Sequence, residues 1–265
     1  MKKLFQSHPK VFIGVVHLQP LPGAPRHEQT MADIIKFAVA DAVAYERGGG
    51  HALIIENFGD VPFTKTSVAP ETLAAMAAAG CAVRAAVKLP IGFNVLRNDA
   101  RAALALCAAC GGDFIRVNVH SGAMLTDQGI IEGDAYHTLR ERGRVAPGAQ
   151  IFADVHVKHA VPLGDWSLAD AAHDTLERGL ADALIVSGVG TGKAAAIGDV
   201  ECVRQACPSA KILLGSGVNT GNVQDFLRLA DGVIVGSSLK RDGQLANRVD
   251  ARRVAALAKA IGNFR

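Results

Sequence analysis

The sequence predicts one α/β domain over residues 1–265, folded as a closed (β/α)8 barrel, also known as a TIM barrel. Eight short apolar runs alternate with eight segments of helical pattern, and this alternation is typical of a parallel sheet. The chain has 265 residues, which matches the size of a single closed barrel, and no Pro/Ser-rich linker divides it. The number of alternations and the length together favour a closed barrel over an open sheet.

Each strand is predicted where β-branched and apolar residues cluster. The predicted strands are residues 11–18, 51–57, 82–89, 114–120, 151–158, 183–188, 211–218 and 232–238. In a barrel of this kind the strands run in parallel, so all their carboxyl ends meet at one mouth.

Helices are predicted between the strands, at residues 30–47, 70–79, 98–110, 133–143, 167–179, 199–206, 220–230 and 247–262. Thr30 and Ser167 each precede an aspartate three positions later, which is typical of helix starts. The longer connections all follow strands, and loops in that position form the active-site face of such barrels. These connections are residues 19–29, 58–69, 90–97 and 121–132.

Charge and composition exclude several classes of function. The net charge of +3 and the scattered basic residues argue against a nucleic-acid-binding surface. No run approaches the ~18 apolar residues of a membrane-spanning helix, and the start MKKLFQSHPKVF does not form a signal peptide, so we expect no membrane insertion and a cytoplasmic location. Five cysteines fit a reducing compartment. Cys107 and Cys110 form a CxxC motif, which we interpret as small residues packed in a helix.

The segment IFADVHVKHA, residues 151–160, places Asp154, His156 and Lys158 at alternate positions of a predicted strand, so we expect them on one face. Other polar side chains stand at the ends of other predicted strands, which converge on the mouth of the barrel. The predicted catalytic residues are His17, Glu56, Lys88, Asn118, Asp154, His156 and Lys158. Structural alternatives stay open: Arg116 and Asp154 could form a buried ion pair, the histidines could serve only as hydrogen-bonding residues, and the lysines could extend to solvent.

Glycine-serine turns end the last two predicted strands and indicate a phosphate site. Glycine lets the backbone approach a ligand, and exposed N–H groups and serine hydroxyls attract an anion. Loops after the last two strands are the usual phosphate site of this fold, although simple tight turns are an alternative. The glycine-rich loop SGVGTG at 187–192 is a third loop of this type. The predicted phosphate-binding residues in these three loops are Gly188, Gly215, Ser216, Gly217, Gly236 and Ser237.

No cofactor is predicted. Glu56, Asp154 and His156 offer oxygen and imidazole ligands that leave a divalent ion, Mg²⁺ or Mn²⁺, open as a variant. They come from separate strands without a local metal motif, and the neighbouring lysines argue against a metal through charge repulsion.

Five segments resemble the BtpA/SgcQ family across essentially the whole chain. They are VVHLQPLPGAPR at 15–26, ENFGDVPF at 56–63, NVLRND at 94–99, ADVHVKHA at 153–160 and SGVGTG at 187–192. The resemblance implies a barrel of the ribulose-phosphate-binding type. It also implies a link to photosystem I biogenesis for some members and to bacterial sugar utilisation for others.

Two classes of function follow. The first is an enzyme that acts on a phosphorylated small molecule, a sugar phosphate or a nucleotide-derived compound, by acid–base chemistry at the barrel mouth. Isomerisation, lyase chemistry and glycosidic-bond cleavage would all use such residues. The second is a non-catalytic assembly or stability factor of the photosystem I biogenesis type, which would not need an ionisable cluster. For either class we expect a homo-oligomer.

Overall fold

The computed structural model describes residues 2–188 and 190–264, so Val189 in the glycine-rich loop 187–192 lies outside the described residues, as do the two terminal residues of the predicted domain. The strands in chain order are β1 (Val11–His17), β2 (Ala52–Glu56), β3 (Ile91–Asn94), β4 (Phe114–Val117), β5 (Ala123–Thr126), β6 (Gly129–Glu132), β7 (Gln150–Val155), β8 (Ala160–Pro162), β9 (Ala183–Val186), β10 (Ile212–Leu214) and β11 (Gly232–Val235).

The barrel prediction is confirmed. Eight parallel strands close in the order β1-β2-β3-β4-β7-β9-β10-β11, and β11 pairs with β1 to complete the ring. Closure leaves no free sheet edge in the barrel. The carboxyl ends of all eight strands therefore lie at one mouth of the barrel, as the sequence predicts.

Helices surround the barrel. They are α1 (Lys2–Ser7), α2 (Met31–Arg47), α3 (Pro70–Ala86), α4 (Ala100–Cys110), α5 (Ala135–Val145), α6 (Leu168–His173, followed by a π-helical turn at Asp174–Arg178), α7 (Ile197–Ala206), α8 (Val223–Leu227) and α9 (Ala251–Gly262). The Thr30 hydroxyl accepts the N–H of Asp33 at 3.2 Å, and the Ser167 hydroxyl accepts the N–H of Asp170 at 3.1 Å, so both predicted caps are confirmed. In residues 2–188 and 190–264 we find no helix of the length and apolar character that crossing a membrane requires.

Side chains alternate between the lumen and the helical layer along each strand. In β1, Val11, Ile13 and Val15 belong to the apolar cluster inside the barrel. Phe12 and Val16, between them, belong to the cluster packed under the helices. This period of two determines which polar residues enter the lumen at the strand ends.

The predicted strand at 82–89 is wrong. Helix α3 continues through this segment to Ala86, and the barrel strand β3 begins later, at Ile91. The buried residues of the α3 segment recur at helical spacing, since Ala75, Met76, Ala79 and Val83 all lie on one side. Alanine is a strong helix former, and its abundance in this segment keeps the chain helical.

A small antiparallel sheet, which we call the mouth sheet, consists of β5, β6 and β8 in the order β6-β5-β8. The sequence predicts connections in this region, at residues 121–132 and after residue 158. Met124 and Ile131 on its inner face pack with Val119 and Val157. The mouth sheet therefore extends the loops that follow β4 and β7 at the carboxyl end of the barrel.

Candidate functional site

The alternation in the strands brings four ionisable side chains into the lumen at its carboxyl end. His17, Glu56, Arg116 and Asp154 each stand two positions beyond a lumen residue, in β1, β2, β4 and β7. Gly215 makes room for this layer, because a Cβ at that position would lie 2.5 Å from Ser187 Oγ and 3.3 Å from Arg116 Nη2. Packing alone therefore accounts for a glycine at the end of β10.

Arg116 lies at the centre of the layer. Its Nε and Nη2 donate to the two oxygens of Asp154 at 2.8 Å each, and its Nη1 donates to Glu56 Oε1 at 3.4 Å. The side chains of Arg116 and Asp154 are almost fully buried. Burial opposes the charge of Arg116, but Asp154 and Glu56 outweigh it and raise the pKa of the guanidinium above its ordinary value. The buried ion pair that the sequence left open is present.

Asp154 is fully engaged in hydrogen bonds. Besides the two bonds from Arg116, Oδ1 accepts the Ser187 hydroxyl at 2.9 Å and Oδ2 accepts Asn118 Nδ2 at 3.3 Å. A carboxylate with four donors has little capacity left for a substrate proton. The geometry favours Asp154 as the residue that orients Arg116, Asn118 and Ser187, and its predicted catalytic role stays a prediction.

Glu56 keeps one oxygen available. Its Oε1 accepts from Asn94 Nδ2 at 3.1 Å and from Arg116, whereas Oε2 makes no hydrogen bond to any described residue. Burial favours the neutral acid, but Arg116, His17, Lys158 and the Asn94 amide together outweigh it and lower the pKa of Glu56. Glu56 is therefore an ionised carboxylate that can accept a proton.

Lys158 reaches the same region from the loop after β7. The backbone has positive φ angles at His156 and His159, 49° and 58°, and these two residues end the regular alternation of the strand. The Lys158 ammonium forms no ion pair or hydrogen bond with residues 2–188 or 190–264. Burial is the main cause that lowers the pKa of Lys158, and the charge of Arg116 acts in the same direction. A partly buried amine with a lowered pKa is suited to donating a proton or stabilising an oxyanion.

These groups face a cavity of about 320 Å³, which we call the large chamber. One side of it is apolar and is formed by Phe58, Val61, Phe63 and Leu96. Glu56 and Lys158 lie on the polar side. A concave space of this size, mostly apolar with a few converging polar groups, is typical of a small-molecule site.

A narrow recess of about 30 Å³ adjoins the large chamber and shares Glu56, Arg116, Lys158 and Thr191 with it. The other residues of the recess come mainly from the ends of the last two barrel strands and from the loop after β9, and they include Gly192, Gly215, Ser216, Gly217, Gly236 and Ser237. Five of the six predicted phosphate-binding residues therefore line one space. The sixth, Gly188, does not line it.

Hydrogen bonds within the loops distinguish these residues. Ser216 Oγ accepts the N–H of Gly188 at 2.8 Å and donates to Lys193 O at 2.8 Å. The Ser216 hydroxyl and the Gly188 N–H are therefore both engaged inside the protein. Gly217 has a φ of +67°, and a Cβ there would lie 2.1 Å from the backbone nitrogen of Ala194. Ser237 Oγ makes no hydrogen bond within the described ranges. Ser237 is therefore the serine with a free hydroxyl in the recess.

His17 lies at the end of β1 and also lines the recess. Burial lowers its pKa to about 4, and the charges of Lys240, Lys158 and Arg116 act in the same direction, against Glu56. Its Nδ1 is buried without a partner among the described residues. The imidazole is neutral near neutral pH and can act as a hydrogen-bonding group in the recess.

Two predicted catalytic residues lie elsewhere. Lys88 is exposed in the loop between α3 and β3, at the opposite end of the barrel, and its backbone N–H donates to Glu46 Oε1 at 2.7 Å. Its expected position depended on the wrong strand at 82–89. His156 turns away from the large chamber because of its positive φ, and its ring lies 6.2 Å from that of Trp166. The expected shared face of Asp154, His156 and Lys158 is therefore wrong for His156.

Asn94 and Arg97 also line the large chamber and are not among the predicted site residues; the same holds for Asp127, His159 and Thr191. Asn94 occupies the strand-end position that had been assigned to Lys88, and its Oδ1 is buried without a partner among the described residues. Arg97 follows in the next loop, and its Nη2 donates to Lys158 O at 2.6 Å. The motif NVLRND at 94–99 contains both Asn94 and Arg97 and is a signal for them, because it begins at the last residue of a barrel strand.

The proposed metal ligands do not converge. Both oxygens of Asp154 are engaged by Arg116, Asn118 and Ser187, and His156 points elsewhere. Among the residues that the structure describes, no three His, Cys, Asp or Glu side chains are placed to hold a metal ion together. Glu56, Asp154 and His156 therefore do not form the divalent-ion site that the sequence left open.

Solved structures share the fold. Tryptophan synthase from Mycobacterium tuberculosis superposes with a TM-score of 0.64 at 18% identity, covering 98% of this chain and 96% of that one. Phosphoribosyl anthranilate isomerase from Thermus thermophilus superposes with a TM-score of 0.57 at 14% identity, covering 96% of this chain and 100% of that one. At these identities the likeness establishes the barrel and nothing more.

Sequence relatives are much closer. The photosystem I biogenesis protein BtpA of Synechocystis is 44% identical over 97% of this chain and 89% of its own length. An uncharacterised protein of Thermococcus kodakarensis is 45% identical over 95% of this chain and 96% of its own. The model of the BtpA family matches residues 8–263. The chain therefore belongs to the BtpA family.

Proposed function

We propose that this protein is an enzyme that acts on a phosphorylated small molecule by acid–base chemistry at the carboxyl mouth of the barrel. The observation that carries the proposal is the pair Glu56 and Lys158. Glu56 offers a free carboxylate oxygen, Lys158 offers an unpaired, partly buried amine, and both line the large chamber and the recess. A base and an acid of this kind are what proton transfer in a substrate requires.

The roles of the two residues follow from their charges. The Glu56 carboxylate would accept a proton from a carbon or hydroxyl next to a carbonyl group, and the Lys158 ammonium would stabilise the oxyanion that develops, or protonate it. Asp154 would hold Arg116 in place behind Glu56. This chemistry is common to isomerases and lyases, and we propose that the reaction belongs to one of these classes.

The recess is the proposed phosphate site. Its walls combine glycine backbone from the ends of β10 and β11 with the free hydroxyl of Ser237, which is the type of surface that binds phosphate in this fold. Among the proteins with the same fold is one whose name refers to a phosphoribosyl compound. We propose that Gly215, Gly217, Gly236 and Ser237 contact the phosphate. Gly188 and Ser216 would support the loops through their mutual hydrogen bond.

A thermal-shift screen with inorganic phosphate, sugar phosphates and nucleotides tests this proposal. A ligand that binds only the folded state raises the melting temperature. We expect a rise with one phosphorylated class, and we expect Ser237→Asp to abolish it because a carboxylate repels the phosphate. Ser237→Ala, the control, should weaken the shift only partly.

Variants of the acid–base pair test the chemistry once a ligand is found. Glu56→Gln should retain phosphate binding, and both Glu56→Gln and Lys158→Met should lose at least about a hundredfold in turnover, a typical contribution of one acid or base. Lys88→Met is the matched control, because this lysine lies at the other end of the barrel and should leave turnover unchanged. An unchanged shift in Ser237→Asp, or full turnover without Glu56 and Lys158, would contradict the proposal.

A second candidate function, that of an assembly factor, is supported by a different observation. Leu125, Ile130 and Val161 form a row of exposed apolar side chains on the mouth sheet, with exposed fractions of 48%, 45% and 57%. A relative at 44% identity is named as a photosystem I biogenesis protein. An exposed apolar row is the type of surface through which an assembly factor, or a homo-oligomer, makes contact. We also propose a cytoplasmic location, which cell fractionation tests.

A further inference from the structure

Arg97 is a buried cation of the large chamber without a counter-ion. Only 4% of the residue is exposed, and no carboxylate of the described residues lies within 4.0 Å of its guanidinium. Its Nε is buried without a partner among these residues, and the one hydrogen bond that the guanidinium makes to them runs from Nη2 to Lys158 O. An uncompensated buried charge is costly, so such a group is usually paired, by protein or by ligand.

The charges around Arg97 do not neutralise it. Among the buried and partly buried groups of the site, Arg97, Arg116 and Lys158 are positive, whereas Glu56 and Asp154 are negative and both contact Arg116. Three positive and two negative charges leave one positive charge. Asp127 also lines the large chamber, but its side chain is exposed and its Oδ2 accepts from Gln128. The site is therefore electrostatically incomplete without an anion.

The loop that holds Arg97 is rigidly anchored. Asn57 Oδ1 accepts the N–H of Leu96 at 2.8 Å, and Thr64 O accepts the N–H of Arg97 at 3.1 Å. Asn98 exchanges two hydrogen bonds with the backbone of Val119, at 2.8 and 2.9 Å. The backbone that carries Arg97 is thus held in place before any ligand arrives, and Nη2 is fixed by Lys158 O, which lowers the entropy lost on binding.

We propose that the large chamber binds a carboxylate of the substrate through Arg97. The recess does not include Arg97, so this carboxylate lies apart from the phosphate, and the substrate is a phosphorylated compound that also carries a carboxylate group. Nε and Nη1 of Arg97 make no hydrogen bond to a described residue, so the guanidinium keeps donors for charge-assisted hydrogen bonds to the oxygens of a carboxylate. This inference rests on the proposed function, because it places the second group of the same substrate.

Isothermal titration with two ligands that differ at one carbon tests the inference. 6-Phosphogluconate and sorbitol 6-phosphate share chain length and phosphate, and only the first has a carboxylate. We expect the full-length protein to bind 6-phosphogluconate about tenfold to a hundredfold more tightly, the range of a charged hydrogen-bonded pair. In Arg97→Gln this ratio should fall to about one, and in Arg97→Lys it should fall only in part.

The controls separate binding from a structural role. If Arg97 only positioned the backbone of Lys158, Arg97→Gln would weaken both ligands equally, and that result would overturn the inference. Arg101→Gln, at an exposed arginine of α4, should change neither affinity. Circular dichroism establishes that each variant is folded. If Arg97→Gln is not folded, Arg97→Lys replaces it in the comparison.

Other results of the titration distinguish a failure of this inference from a failure of the proposed function. Equal affinities in the unaltered protein would overturn the carboxylate subsite and leave the phosphate proposal standing. A gain from fructose 6-phosphate to fructose 1,6-bisphosphate without a gain from the carboxylate would mean that Arg97 binds a second phosphate, which also overturns the inference. No binding of any of these compounds or of inorganic phosphate would overturn the proposed function itself.

Discussion

Four hydrogen bonds hold the Asp154 carboxylate in the lumen, and two of them come from the buried guanidinium of Arg116. In water both ions would be solvated, so their burial is tolerated only because each satisfies the other. Arg116 in turn contacts Glu56. A change at Asp154 would therefore reach Glu56 through Arg116, without any contact between Asp154 and the substrate.

Asp154→Asn should destabilise the protein strongly. The new amide nitrogen would face an N–H group of Arg116, which would lose its counter-ion, and breaking a buried pair in this way costs about 3–5 kcal/mol. For a chain of this size, that corresponds to a fall of about 10 °C in melting temperature by calorimetry.

Asp174→Asn is the matched control for this measurement. Asp174 pairs with Arg178 at 3.9 Å on the surface, where both side chains are well exposed, so its loss should cost less than about 1 kcal/mol. A stable Asp154→Asn protein that binds phosphate but has lost turnover would contradict the anchoring role and restore the catalytic one.

At the scale of elements, the strand ends explain how much of the site the sequence could predict. Glu56 and Arg116 follow clean alternation from a buried strand, so their convergence in the lumen is readable from a period of two. The run at 82–89 misled the prediction because a short apolar segment fits both a strand and a buried helix. Because this segment is helical, β3 begins later in the chain, and Asn94, rather than Lys88, lies at the mouth.

The loop after β7 shows a different limit. His156 departs from its expected face because its φ is 49°, a conformation that local sequence does not specify for histidine. The packing of Val157 beneath the mouth sheet accompanies this turn and returns Lys158 to the lumen side. Contacts between segments far apart in the sequence determine such a turn, so alternation alone could not predict it.

The mouth sheet presents a row of apolar side chains in register, since Leu125 lies opposite Ile130 on one side and Val161 on the other. We expect the protein to self-associate through this row. Leu125→Asp should therefore shift it towards the monomer in size-exclusion chromatography with light scattering. Because Leu125 is 48% exposed, the free energy of unfolding of the barrel should change by less than about 1 kcal/mol.

Leu180→Asp provides the comparison, because Leu180 is 56% exposed but lies outside the mouth sheet. It should leave the oligomeric state unchanged. If the unaltered protein is a monomer at all concentrations, or if both variants dissociate equally, the row is not the surface of self-association.

At the scale of the whole molecule, the two ends of the barrel are built for different purposes. The carboxyl end contains the ionisable layer, the large chamber and the recess. At the other end, Leu4 of α1 joins the apolar cluster of the lumen, and the Phe5 ring lies 6.0 Å from that of Phe152 in an edge-to-face contact. In barrels of this fold, residues at the amino end contribute to stability and residues at the carboxyl end to function.

Leu4→Ala should therefore lower stability without changing the site. Leu4 is 5% exposed, and truncation of a buried leucine costs about 2–5 kcal/mol. Since we expect residues 1–265 to form one domain, calorimetry should record a single transition at a lower temperature. Titration with the phosphorylated ligand should give an affinity within about twofold of the unaltered protein, because Leu4 has no contact with the mouth. Leu163→Ala, at a leucine that is 55% exposed, should change neither quantity. Two separate transitions would contradict the single domain, and a large loss of affinity would mean that the lumen couples the two ends.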